Sequence, residues 1–458
     1  MIYLHAARSV AVPRLTVGEQ EVDAMNEFDD SRPGNVDEAG SGPTGLRRRD
    51  LLRQGTVAAV GVGLLGSIGL RAGEVMAESD AAAGPARVRR YVELGKTGLK
   101  MPDISFGTGS LADPELIAYA YDRGMTYFDT AEGYPMSKPG LAEKAIAKVL
   151  KGKRNEVVLA SKQVTKPNDK RAEMMRRLDN SLKRLQTDRI DVYFNHAVND
   201  VARMKSPEWA DFIALAKQQG KIRFSGMSGH GGHLKDALSF SLDNDLVDVI
   251  LAAYNFGQDP AFYESLTKSF DMVANQTGLP PILAKAQEKG VGVIAMKTLM
   301  GARLNDMKPY ERAGGQYSQA AFRWVLSNPD VDGLIVTMKS REMIDEYLAA
   351  SGTGAVQKSD VELLRQYAAL NGSTQCRPGC GECVASCPYG VEIDDVLRAR
   401  MYSRDYANPE QGRAAYAQLT TGASACLSCA NPTCADACSY GLDIPKLTRT
   451  AAELFVQS

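Results

Sequence analysis

Four side chains could together move a proton: Asp129, Tyr134, Lys162 and His196. The stretch Thr126–Tyr134 reads as a short apolar run that ends in an acid, with a phenol five residues further on. A tyrosine titrates near pH ~10, too weak an acid to protonate an alkoxide readily at neutrality. A nearby ammonium favours the phenolate and lowers that value, and a carboxylate fixes the ammonium. Two further apolar runs end in Ser161-Lys162 and Asn195-His196. Singly, each residue has a structural explanation: Lys162 a solvated charge, His196 a core histidine, Asp129 a helix cap. All four at matched strand ends are much harder to explain that way.

Positioning them requires a regular scaffold. After a small hairpin, Tyr91–Leu94 with Leu99–Met101, eight strand-like runs recur: 104–109, 127–130, 157–161, 192–195, 224–227, 249–254, 291–296 and 334–337. Helical patterns such as 115–122, 141–150, 171–185 and 208–219 fall between them. Strand–helix units repeated eight times predict an α/β fold, a (β/α)8 TIM barrel over 91–350, with its chemistry at the C-terminal strand ends. Trp209 and Trp324 lie on helical patterns and read as packing residues.

The chain has 458 residues, too many for one ordinary core. Lys+Arg (54) and Asp+Glu (55) nearly cancel, so no overall field argues for nucleic acid. Residues 1–45 are polar and aperiodic and read as a disordered extension. In 46–90, Arg48-Arg49 precedes the apolar run 56–70 and small residues near Val75-Met76-Ala77, the pattern of a twin-arginine leader followed by a linker. An uncleaved anchoring helix is the alternative. The leader predicts the Tat translocase as a partner and a periplasmic or membrane-associated protein, or a cytoplasmic one if the leader is not used.

The barrel region resembles the aldo-keto reductase family. The resemblance rests on Phe128-Asp129-Thr130-Ala131-Glu132-Gly133-Tyr134, Ser161-Lys162, Asp191–His196 and Gly220–Ser228. It implies that Asp129, Tyr134, Lys162 and His196 form a catalytic tetrad, with NADP (or NAD) passing hydride to a carbonyl or taking it from an alcohol. It also implies cofactor contacts at Ser228, Gly229, His230, Lys297, Lys339 and Arg341. Three positions depart from the family pattern: Gly229 replaces an asparagine, Leu251 a glutamine, and Met296 an aromatic, with Lys297 following it. Lys339 and Arg341 suit an adenosine phosphate, although a Lys-Ser-Arg run also suits a solvated helix start. His230 and His233 are spaced to chelate a metal but lack further ligands nearby, so His230 reads as a pocket residue and His233 as structural.

All eight cysteines lie between 376 and 438, as Cys376-x3-Cys380-x2-Cys383-x3-Cys387 and Cys426-x2-Cys429-x4-Cys434-x3-Cys438. The two quartets share a tail, Cys387-Pro-Tyr-Gly-Val-Glu-Ile393 against Cys438-Ser-Tyr-Gly-Leu-Asp-Ile444, and so form an internal repeat. Tight triplets with a fourth thiol suit 4Fe-4S clusters, because the short loops wrap one face of a cube. Zinc sites pair two cysteines on each of two knuckles. Neighbours this close on one loop rarely have disulfide geometry. With helical patterns at 391–400, 413–419 and 444–455, residues 351–458 resemble a helical ferredoxin. That resemblance implies a crossed assignment: Cys376, Cys380, Cys383 and Cys438 on one cluster, and Cys426, Cys429, Cys434 and Cys387 on the other. The expected function is an oxidoreductase on a small carbonyl or alcohol substrate, connected by two 4Fe-4S clusters to a redox partner protein. The alternative is an exported electron-transfer subunit whose barrel only docks a partner.

Overall fold

The computed structural model describes residues 85–109, 112–258, 278–300, 307–311, 315–372, 374–377 and 380–456. The expected extension and twin-arginine leader lie outside the described residues. Among the described residues there are ten strands: β1 (Tyr91–Glu93), β2 (Lys100–Pro102), β3 (Ile104–Gly107), β4 (Tyr127–Asp129), β5 (Val158–Gln163), β6 (Ile190–Asn195), β7 (Ile222–Gly229), β8 (Val249–Ala253), β9 (Gly292–Met296) and β10 (Gly333–Thr337). β1 and β2 pair antiparallel. The other eight close in the order β10-β3-β4-β5-β6-β7-β8-β9, every neighbouring pair parallel. The barrel is therefore the predicted α/β architecture.

Because strand side chains alternate, each barrel strand serves two cores. Tyr127, Val158, Ala160, Val192, Phe194, Val249, Leu251 and Ile294 fill the barrel interior. Their neighbours Phe128, Leu159, Tyr193, Ile250 and Val293 face the surrounding helices. The β1–β2 hairpin plugs the bottom: Leu94, Leu99 and Met101 join the inner core. Gly292 admits this plug, because a Cβ there would lie 2.6 Å from Leu94 Cδ1. Trp209 is buried in the outer core and Trp324 packs partly buried against it.

The helices lie close to the predicted ranges, with Leu141–Leu150 and Arg171–Leu185 coincident with them. The helix Lys358–Asn371 follows the boundary expected at 350, yet its Leu363, Leu364, Tyr367 and Ala368 are part of the barrel's outer core. Arg323, on the helix Tyr317–Leu326, holds it through two hydrogen bonds to Asp360 (2.8 and 2.5 Å). A separate small core, with Val391, Ile393, Val396, Leu397, Leu442, Ile444 and Leu447, begins at the cysteines. Its helices are Ile393–Arg404, Pro409–Tyr416 and Ile444–Phe455, so this region is mostly helical.

Candidate active site

The period of two that builds the inner core also aims the reactive residues. On β4 the inward positions are Tyr127 and Asp129, and on β5 they are Val158, Ala160 and Lys162. On β6 they are Val192 and Phe194, and the next inward position is His196. Asp129, Lys162 and His196 thus sit at three adjacent strand ends on one rim. Register pairs Asp129 with Ala160 and Lys162 with Phe194. Lys162 Nζ donates to Asp129 Oδ1 at 2.5 Å and to Thr130 O at 2.7 Å. Tyr134 Oη lies 3.2 Å from His196 Nε2, and Lys162 Nζ lies 5.4 Å from the centre of the Tyr134 ring. Arg203 braces the loop after β6, donating to His196 O (2.7 Å) and Ala197 O (2.8 Å).

Burial dominates the electrostatics of this rim. It pushes the Asp129 carboxyl up and the Lys162 ammonium down, and each is held against that pull by the other. Burial, with Lys162, Arg203 and Lys297 nearby, holds His196 well below the usual imidazole range, so the ring is neutral. Tyr134 differs from the sequence expectation. Burial first, then Asp129 and Tyr402, raises its phenol above the usual value. Lys162, 5.4 Å from the ring centre, is not among the groups that set this shift.

The expected cofactor contacts divide. Ser228 is buried, and its Oγ accepts from Ala197 N at 3.0 Å. Gly229 has no room for an asparagine, since a Cβ would meet Leu234 Cδ1 at 2.5 Å and Val198 O at 2.8 Å. Leu251 is part of the inner core, and Met296 packs against it. Beyond β10, Lys339 and Arg341 flank Ser340, the cap of the helix Arg341–Leu348. Arg341 is more than half exposed and only loosely paired with Glu115 (3.7 Å), which leaves its guanidinium available to a phosphate. The phosphate end of a dinucleotide therefore fits the residues present, whereas the polar and aromatic contacts expected at its nicotinamide end are missing.

His230 and Lys297 turn instead to a residue that the sequence did not point to. Tyr402, on the helix Ile393–Arg404, accepts from Lys297 Nζ at 2.7 Å and lies 3.3 Å from His230 Nε2. That helix crosses the barrel mouth. Asn199, on the loop after β6, donates to its Asp395, and Gly232, after β7, lies so close to Asp394 that a Cβ would meet its carboxylate. The one local signal was a pair of aromatics four apart on a charged helix, Tyr402 and Tyr406, whose ring centroids lie 5.7 Å apart. Burial and Arg398 pull Lys297 down to about 7. His233 is exposed and caps the helix Leu234–Asp243.

Cys376, Cys383, Cys387, Cys426, Cys429, Cys434 and Cys438 are free thiols. Cys376, Cys380, Cys383 and Cys438 line one cavity of about 330 Å³. Cys387, Cys426, Cys429 and Cys434 line another of about 400 Å³. The fourth thiol of each repeat thus faces the other repeat's cavity. Burial raises the Cys376 thiol to about 12, helped by Asp394, Cys380 and Cys438 and opposed by Arg398. Four thiols so arranged need a strongly cationic guest to become thiolates. Among the described residues no group of three or more His, Cys, Asp or Glu is placed to hold a single metal ion.

A profile of the aldo/keto reductase family matches residues 103–314, which include all four rim residues. L-galactose dehydrogenase of Arabidopsis thaliana is 27% identical over 298 residues, covering 56% of this chain and 86% of its own. L-glyceraldehyde 3-phosphate reductase of Escherichia coli O157:H7 is 23% identical over 323 residues, covering 61% and 92%. Among solved structures, an aldo-keto reductase from Bacillus halodurans is 20% identical with a TM-score of 0.46, covering 60% of this chain and 95% of its own. Residues 103–314 are an aldo/keto reductase family domain, of NAD(P)-dependent oxidoreductase type.

Proposed function

We propose that the barrel interconverts a carbonyl and its alcohol at the rim formed by Asp129, Tyr134, Lys162 and His196. The observation that carries this reading is the approach of Tyr134 Oη to His196 Nε2 (3.2 Å) beside the buried Lys162–Asp129 pair. A bound nicotinamide supplies the hydride that forms the new C–H bond, and Lys339 and Arg341 would hold its phosphate end. The protein supplies the rest. Tyr134, firmly protonated in the free site, keeps its proton until an alkoxide, a stronger base, develops within reach. His196, neutral, orients the carbonyl oxygen and shares that hydrogen bond. As the O–H bond forms, the phenolate left on Tyr134 is stabilised by the nearby Lys162 ammonium, which Asp129 holds in place. Two relatives are named for sugar-derived substrates, L-galactose and L-glyceraldehyde 3-phosphate, which supports a hydroxylated carbonyl compound here.

For the tail we infer two 4Fe-4S clusters that connect the barrel to a redox partner protein, each cluster held by the four thiols around one cavity. The ligand spacing and the crossed grouping of the cysteines support this. Export by the twin-arginine route is consistent with it, because a cluster assembled in the cytoplasm must cross the membrane in folded protein. A second reading, an electron-transfer subunit with a silent barrel, is favoured by Leu251 and Met296 at the nicotinamide end. Titration with NADPH, followed by nicotinamide fluorescence, separates the two, since absence of binding would leave only the second. Tyr134→Phe should lower carbonyl reduction by about a hundredfold or more without altering the visible absorption of the tail. If turnover survives, the proton donor is misassigned.

A further inference from the structure

Lys297 is an ammonium placed at the barrel mouth with a phenol as its hydrogen-bond partner. Its Nζ donates to Tyr402 Oη at 2.7 Å and lies 4.4 Å and 5.6 Å from the ring centres of Tyr402 and Tyr406. Among the described residues no carboxylate comes within ion-pair distance of it. Asp394 and Asp395, the nearest acids on the helix above, are turned to Arg398 (3.8 and 3.2 Å). An ammonium has three donors, and one is used here. Its backbone also favours a specific direction over comfort. Lys297 has φ +57°, a conformation that disfavours any side chain, and the turn is held by Asn255 Nδ2 and Met300 N, both donating to Lys297 O (3.0 and 3.3 Å).

His230 adds a second, independent sign. Its Nδ1 is buried and has no hydrogen-bond partner, while its Nε2 lies 3.3 Å from Tyr402 Oη. Because that phenol accepts from Lys297, it is free to donate to Nε2, which places the ring proton on Nδ1. Among the described residues, Lys297 Nζ then keeps donors beyond the one given to Tyr402, and His230 keeps its Nδ1 proton. Both side chains lie near the reacting group, since Lys297 is among the charges that hold His196 neutral. Two buried donor groups around one phenol, one of them cationic, match a carboxylate.

We propose that Lys297, His230 and Tyr402 form a pocket for a carboxylate carried by the substrate, set beside the carbonyl site, so that the preferred substrates are oxo acids and the corresponding hydroxy acids. This rests on the tetrad being the carbonyl site. A dinucleotide phosphate offers the same anionic oxygens, but Lys339 and Arg341 stand elsewhere on the rim to receive it. A purely structural Lys297, pinning the helix to the barrel, would need a donor and not a charge.

The test uses the full-length protein, purified anaerobically with its native metal content. Calorimetric titration should show that benzoate binds and benzamide does not. Lys297→Gln, which keeps a donor but no charge, should weaken benzoate about tenfold or more, and Lys297→Arg should restore most of it. In turnover, Lys297→Gln should raise KM for 4-carboxybenzaldehyde about tenfold more than KM for benzaldehyde. Equal benzoate affinity in wild type and Lys297→Gln overturns the proposal. So does a Lys297→Gln protein that loses NADPH affinity while binding benzoate normally, because the pocket then belongs to the cofactor. Tyr134→Phe should still bind benzoate. Lys297-dependent benzoate binding in a protein that reduces no aldehyde would support the pocket and remove the reductase reading.

Discussion

At the scale of single residues, the rim is a balance between burial and pairing. Lys162 is 1% exposed and Asp129 2% exposed, so neither charge has water to fall back on. Lys162→Met should therefore cost about 3–5 kcal/mol in urea unfolding, because it strands a buried carboxylate. The double change Lys162→Met with Asp129→Leu should recover part of that loss; a double variant less stable than the single would refute the argument. Lys297 makes a pH prediction. Its charge is present below about 7 and lost above it, so benzoate affinity should fall as pH rises through that value. The other titratable groups facing it are His196 and His230, both held neutral by burial, Tyr402 and Tyr406, both raised by burial, and Arg398, which stays charged. Lys297→Arg, charged throughout, should flatten the profile. Asp129, Lys162 and His196 were legible in the sequence because each closes an apolar run of fixed parity, and Tyr134 because it follows Asp129 on the same loop. Tyr402 was not, because it reaches His230 across 172 positions through tertiary packing alone.

At the scale of elements, the barrel owes its shape to alternation and to a few places where a side chain must be absent. Gly226 on β7 is one: a Cβ would meet Val249 O at 2.3 Å and the Phe194 ring at 2.7 Å. Gly226→Ala should destabilise by about 1–3 kcal/mol, read as a lower urea midpoint, with the far-UV spectrum retained. The helix Lys358–Asn371 depends on the Arg323–Asp360 pair. Burial tends to raise the Asp360 carboxyl, but hydrogen bonds from Arg323 and the Gln357 backbone outweigh it and leave it below its usual value. Its stabilisation is thus present above the unfolded value of about 4 and lost as pH falls through the lower, folded one. Asp360→Asn should remove that part of the acid sensitivity. Strand existence and order were readable from hydrophobic period. Strand ends moved by a residue or two because ladder hydrogen bonds, not side chains, decide them. The boundary expected at 350 overlooked this helix, since composition changes there but burial does not.

At the scale of the whole molecule, the tail reaches the candidate active site through Tyr402. Its helix Ile393–Arg404 supplies Tyr402 to the barrel mouth on one side and Asp394 to the Cys376 cavity on the other. Changes in one should be felt in the other: Tyr402→Phe should alter carbonyl turnover although it lies more than two hundred residues from the rim in sequence. The crossed grouping of thiols makes its own prediction. Cys438→Ser should perturb the same paramagnetic signal as Cys380→Ser, and Cys387→Ser the same as Cys429→Ser; uncrossed behaviour would refute the inferred ligation. The repeat was legible as a repeat, and the crossed grouping implied by the ferredoxin resemblance is the one found around the two cavities.

That exchange of fourth thiols reaches beyond ligation. Each half of the tail contributes one thiol to the other half's cavity. A chain severed between the quartets would not keep one intact centre and lose one; both cavities would be left a thiol short or more. Under the inferred two-cluster ligation, severing the chain there should lower iron content at both centres.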